Sequence, residues 1–189
     1  MKRLAASAAA SVLFLSGCAT VVPASGWSGG QPGWTAASAG VRPVGLGVPG
    51  GAMLAEGVTF AGGLQLVLEP ESPLHSLSDL KLIDEDDFVA VTDTGDLVRG
   101  RLRLDGGGRL RGADSLRYRR LKSIDGAPIT DKAEGDAEGL FLTPNGDLVV
   151  SFERLHRLWS YGPLDGVVNR PGPLPSPDAV FPLNDGMEG

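Results

Sequence analysis

The chain has 189 residues, 28 of them glycine and 14 proline, and a formal net charge of −6 at pH 7. That length suits one domain, and 17 Lys and Arg against 23 Asp and Glu argue against a nucleic-acid partner held through its phosphates. Cys18 is the single cysteine, so no disulfide partner exists within the chain.

At the N-terminus, Lys2 and Arg3 precede an apolar run from Leu4 to Leu15 that ends in Leu15-Ser16-Gly17-Cys18. A positive start, a short apolar stretch and small residues before the cut describe a secretory leader, because a spanning helix needs about 20 apolar residues. The layout is that of a bacterial lipoprotein signal over residues 1–18. It predicts acyl chains on Cys18 after cleavage; the alternative is an ordinary leader with a chance cysteine. Ala19, in place of Asp, points to the outer membrane, facing the periplasm. Once Lys2 and Arg3 leave with the leader, 15 basic residues stand against 23 acidic ones. Membrane attachment then comes from lipid and not from a basic surface.

Residues 19–55 are rich in Gly, Ala, Pro and Ser, with Trp27 and Trp34 scattered among them and no apolar period. Such a stretch reads as a tether. Gly26-Trp27-Ser28-Gly29-Gly30 within it matches the G-x-S-x-G pattern of serine hydrolases. That motif needs a strand before it and a helix after it to hold a strained nucleophile, and neither is predicted there.

From 56 to 189 the pattern becomes short alternating runs: LQLVL, DLKLI, FVAV, LVRGRLRL, RLRGADSLRYRRL, GLFL, DLVVSF and HRLWSY. Their length and period of two predict strands. Asp84-Glu85-Asp86, Asp105-Gly106-Gly107-Gly108 and Pro144-Asn145-Gly146-Asp147 lie between them and suit antiparallel hairpins. The fold class is therefore all-β.

The stretch from Ser78, SDLKLIDEDDFVAVTDTGDLV, returns from Glu138 as EGLFLTPNGDLVVSFERLHRL, an offset of 60 residues. Leu80/Leu140, Leu82/Leu142, Asp87/Asp147 and Val89/Val149 are identical under it, and Asp93 falls on Glu153. Hairpin repeats on this scale predict propeller-like antiparallel blades. Glu188-Gly189 matches Glu138-Gly139, as if a third copy opened there, so the expectation is an incomplete propeller of two to three blades.

Equivalent carboxylates converge where blades meet. Glu138 and Glu188 are expected near the axis, and Asp93 and Glu153 where the second strand of each copy ends. Carboxylates brought together need compensation, and a hard cation with oxygen ligands supplies it. Calcium is the expected ion. The alternative is that each acid only accepts backbone N–H groups in a turn. Arg154 and His156, beside Glu153, are candidates for contact with an anionic substrate. His75 and His156 are the only histidines, which leaves few bases for a Ser-His-Asp triad. Nine basic residues between Arg99 and Lys122 either gather phosphate groups or solvate an outer strand.

The segments GDAEGLFLTPNGDLVVSFERLHRLWSY and LHSLSDLKLIDEDDFVAVTDTGDLVRGRL resemble the bacterial phytase-like family described as having esterase-like activity of phytase. More distantly, EGLFLTPNGDLVVSFE followed by LW is similar to β-propeller phytases, in which an E-G turn and a later Glu supply calcium and phosphate-site carboxylates. The resemblance implies that Glu138, Glu153 and Glu188 are metal ligands. It also implies a hydrolase of phosphate or simple carboxylate esters in the cell envelope. Two rivals stand beside it: a non-enzymatic propeller that binds or scaffolds, and an inactive truncated fragment.

Overall fold

The computed structural model describes residues 20–22 (backbone only), 33–47, 52–166, 170–183 and 186–187. In chain order the elements are β1 (Thr20–Val22), β2 (Thr35–Ala36), β3 (Ala39–Val44), β4 (Met53–Ala55), β5 (Val58–Thr59), β6 (Gly63–Val67), β7 (Leu77–Leu82), β8 (Asp87–Thr92), β9 (Asp96–Leu104) and β10 (Leu110–Arg120). A one-turn helix α1 (Lys132–Gly135) follows, then β11 (Ala137–Leu142), β12 (Asp147–Phe152), β13 (Arg157–Pro163), a 3-10 turn (Leu164–Gly166) and β14 (Gly172–Leu174). The fold is all-β, and the three expected hairpin turns lie between β7 and β8, β9 and β10, and β11 and β12.

The strands form antiparallel sheets in the orders β1-β3-β6, β2-β10-β9-β8-β7 and β11-β12-β13-β14, with a small β4-β5 hairpin. Among the described residues these sheets do not close into a ring. The Gly- and Pro-rich stretch contributes to the domain and is not solely a tether: Thr35 and Ala36 pair with β10, and Ala39 and Val41 are buried. Trp34 packs on the same body, with the Arg117 guanidinium 5.3 Å from its ring centre. Trp27 and the G-x-S-x-G motif lie outside the described residues.

Strand β8 of the five-stranded sheet is covered on both faces, which explains why FVAVT is an unbroken apolar run. Val89 and Val91 point to a core shared with Leu140, Leu148, Val150, Phe152 and Tyr161 of the four-stranded sheet. Phe88 and Ala90 point the other way, to a core with Ala39, Leu74 and Leu116. At Gly100 the second core allows no side chain, since a Cβ there would lie 2.6 Å from Leu116 Cδ2 and 2.7 Å from the Phe88 ring.

The sequence repeat is a structural repeat. Both β7 and β8 recur 60 residues later as β11 and β12 with the same bounds. Each pair carries a register irregularity at its start, between Leu77 and Asp79 and between Ala137 and Gly139. Each hairpin closes alike, with Ile83 N–H donating to Asp87 O (2.8 Å) and Thr143 N–H to Asp147 O (2.9 Å). The residue after each second strand is tied back in the same way: Asp93 N–H donates to Ser76 O (3.0 Å) and Glu153 N–H to Asp136 O (2.7 Å).

The arginine-rich face of β9 and β10 is largely neutralised from within. Arg101 forks onto Asp87 (2.6 and 3.0 Å), Arg99 reaches Asp165 (2.9 Å), Arg111 reaches Asp105 (2.8 Å), Arg120 reaches Asp96 (3.0 Å), and Arg103 bonds Asp114. These guanidiniums already hold carboxylates, so the face is an ion-paired sheet surface and not an open anion collector.

Candidate cation site at the seam of two sheets

The first strands of the two copies, β7 and β11, run beside each other at the seam between the sheets. Asp79 Oδ2 accepts the Leu140 N–H across it at 3.0 Å. Helix α1 enters the same seam. Asp131 caps it by accepting the Ala133 N–H (2.7 Å), a common way to satisfy an orphan amide at a helix start. Gly135 sits so close to the 93–95 turn that a Cβ there would be 3.0 Å from Thr94 O. The chain from α1 into β11 is thereby pressed onto the end of β8.

This packing brings three carboxylates together. Asp136 precedes β11, Glu138 lies in its first turn of pleat, and Glu153 follows β12. One oxygen from each lies within 4.8 Å of the others. Asp136 is 2% exposed and Glu153 7% exposed, whereas Glu138 is half-buried. Glu153 Oε1 is buried and has no hydrogen-bond partner among the described residues. A buried carboxylate oxygen left unpaired is costly, and Asp93 Oδ1 at the same seam is a second one.

Two side-chain cations border the cluster. Lys132 Nζ lies 3.2 Å from Asp93 Oδ2 and bonds Asp136 Oδ1, while Arg154 Nε donates to Asp136 Oδ2. Arg154 has φ +58, in the left-handed region, and that turn aims its side chain back at Asp136. Asp93, Asp136, Glu138 and Glu153 thus face one lysine and one arginine, which leaves a deficit of two positive charges when all four acids are ionised.

The acids respond in opposite directions. For Asp136, burial acts to raise the pKa, but hydrogen bonds and charge from Lys132 and Arg154 outweigh it and hold the carboxyl below its usual range. Glu138 is pushed up, first by burial and then by the charge of Asp136, with Glu153 adding to it and a Ser78 hydrogen bond opposing. Oxygen donors, partial burial and a charge deficit of two fit a hard divalent cation. Calcium specifically is not distinguished by this donor set.

The structure thus brings Glu138, Glu153 and Arg154 together, and adds two residues that the sequence reading missed. Asp136 corresponds to Ser76 under the offset of 60, so the repeat draws no attention to it. Lys132 stands four residues before Asp136, a helical spacing that is the one sequence signal for it. His156 turns away: its Nε2 donates to Pro182 O at 2.9 Å and its ring lies 5.1 Å from Phe181. His75 Nε2 donates to Glu69 O at 3.0 Å. Glu188 and Cys18 lie outside the described residues. On the other side of α1, a cavity of about 420 Å³ is lined by Ile124, Pro128, Glu134, Leu155, Arg157 and Trp159, among others.

Residues 72–189, more than half of the chain, match the family described as phytase-like, esterase-like activity of phytase. The chain belongs to that family. Neither the curated proteins nor the solved structures contain a match to it. The site of this phytase-like protein lies wholly inside the matched residues.

Proposed function

We propose that this phytase-like protein is an ester hydrolase of the bacterial cell envelope, acting on phosphate or simple carboxylate esters with a divalent cation, calcium first among them, at the carboxylate seam. The observation that carries this reading is the unpartnered, buried Glu153 oxygen facing Asp136 and Glu138 in a chain of a family described by esterase-like activity. Asp136, Glu138 and Glu153 would hold the ion. When bound, it would supply charge neutralisation at the ester oxygens and acidify a nearby water. Asp136 holds Arg154 through its Nε, and in this reading the rest of that guanidinium would meet an anionic ester group.

In this reading the five- and four-stranded sheets are successive blades of a β-propeller, joined by the core between them. Glu188 would add a carboxylate from the equivalent position of a further copy, and His156 would contribute to substrate binding only after leaving Pro182. Acyl chains on Cys18 would hold the protein at the outer membrane. Replacing Cys18 with Ser should move it from the membrane fraction to the soluble fraction, and unchanged fractionation would reject the anchor.

The deciding assay is turnover of phytate, p-nitrophenyl phosphate and p-nitrophenyl acetate by the mature protein, with calcium and with chelator. Calcium-dependent hydrolysis of at least one ester, lost in Glu153→Gln, is expected. Background rates with all three would overturn the hydrolase reading.

A further inference from the structure

The following rests on the carboxylate seam being a cation site. Asp136 contributes an oxygen to the cluster, yet both its oxygens are taken: Oδ1 by Lys132 Nζ and Oδ2 by Arg154 Nε. Any ion using Asp136 must therefore displace one of these partners or share an oxygen with it.

The two are not equally easy to move. Arg154 follows Glu153 directly, its backbone is in the left-handed turn that closes the end of β12, and its guanidinium is a planar fork. Lys132 stands on the outer side of a single helical turn, with 44% of its side chain exposed. Its ammonium is a compact point charge on a flexible stem that can rotate into water without moving the backbone. It also bridges Asp93 of the first copy to Asp136 of the second, so it occupies ground between carboxylates where a free cation would be drawn.

We infer that the Lys132 ammonium is a tethered occupant of the cation site, and that a divalent ion binds by displacing it from Asp136 and Asp93 into solvent. Exchange of one ammonium for one monovalent ion brings no gain in charge, whereas exchange for a divalent ion supplies one further positive charge to the deficit at the seam. Lys132 thus sets both the affinity threshold and the preference for multivalent ions. Glu153 Oε1 and Asp93 Oδ1, which neither cation holds, are the oxygens open to the incoming ion.

The test is calorimetric titration of the full chain with calcium chloride, comparing wild type with Lys132→Gln and with Lys132→Arg, alongside thermal melts in chelator to verify folding. Lys132→Gln should bind calcium about tenfold more tightly, because a competing unit charge a few ångströms from the ion is gone. Lys132→Arg should bind more weakly than wild type, because a guanidinium that can fork onto carboxylates is harder to displace. Wild-type binding with equal or weaker affinity in Lys132→Gln would overturn the exchange. Absence of binding in both wild type and Lys132→Gln would instead remove the cation reading and this inference with it. Should Lys132→Gln lose its cooperative melt, the Arg variant decides alone, and affinity equal to wild type rejects the inference.

Discussion

The hairpin β7–β8 and its copy β11–β12 share bounds, irregularity, turn closure and the tie-back at the end of the second strand, yet they carry different chemistry. At the three corresponding positions the first copy has Ser76, Ser78 and Asp93, and the second has Asp136, Glu138 and Glu153. The backbone contact is the same in both: a carbonyl at 76 or 136 accepts the N–H at 93 or 153. The architecture therefore does not require acids at 136 and 138, where serines serve the first copy, whereas the position after the second strand is acidic in both.

The copies also differ in what covers them. Leu140 is 3% exposed in the core between the sheets, while its equivalent Leu80 is 42% exposed on the far side of the five-stranded sheet. Truncation to Ala should separate them most clearly. Leu140→Ala is expected to cost about 2–5 kcal/mol of unfolding free energy by urea denaturation and Leu80→Ala no more than about 1. Equal costs would mean that the two copies are covered alike.

A second contrast lies in the acids at the ends of β8 and β12. With calcium at about a hundredfold excess over its Kd, wild type should gain about 2.7 kcal/mol of stability, read as a rise in melting temperature. Glu153→Gln should abolish that gain, whereas Asp93→Asn should keep part of it. Equal loss in both variants would make the two carboxylates interchangeable.

Glu138 against Ser78 offers a smaller test, through pH. Glu138 is held above the ordinary glutamate value of 4.5, so the fold favours its protonated form. Its stabilising share is complete below the ordinary value and is lost as pH rises through the folded one. Glu138→Gln cannot ionise. In chelator it should match wild type at about pH 4 and melt progressively higher than wild type as pH climbs towards about 8. A gap that narrows with rising pH would mean that Glu138 is stabilised as an anion.

The smallest effect is expected outside the seam. Arg103→Ala, which removes the exposed arginine of a pair whose Asp114 keeps the Ser115 hydroxyl as a donor, should cost about 1 kcal/mol and leave calcium binding unchanged. A larger cost would give the ion-paired face a weight comparable with the core.

Much of this was legible in the chain. Strand period, turn residues and the offset of 60 are local or nearly local signals, and the hairpins they predict are present with the expected turns. Glu138 and Glu153 could be found because the repeat aligns them with strand ends. Asp136 and Lys132 pair locally, four residues apart, but their meeting with Asp93 depends on Gly135 packing against the 93–95 turn, a contact between segments about 40 residues apart.

By itself, then, the sequence determined an all-β domain of repeated hairpins and the acidic residues at their ends, since pleat and turn chemistry are written in neighbouring residues. Only the tertiary structure decided which acids share one site, which of them already hold a lysine or an arginine, and which oxygens are left unpaired. Those outcomes depend on how two sheets and one helical turn are pressed together, and electrostatic energy at a few ångströms depends on that distance and burial far more than on position along the chain.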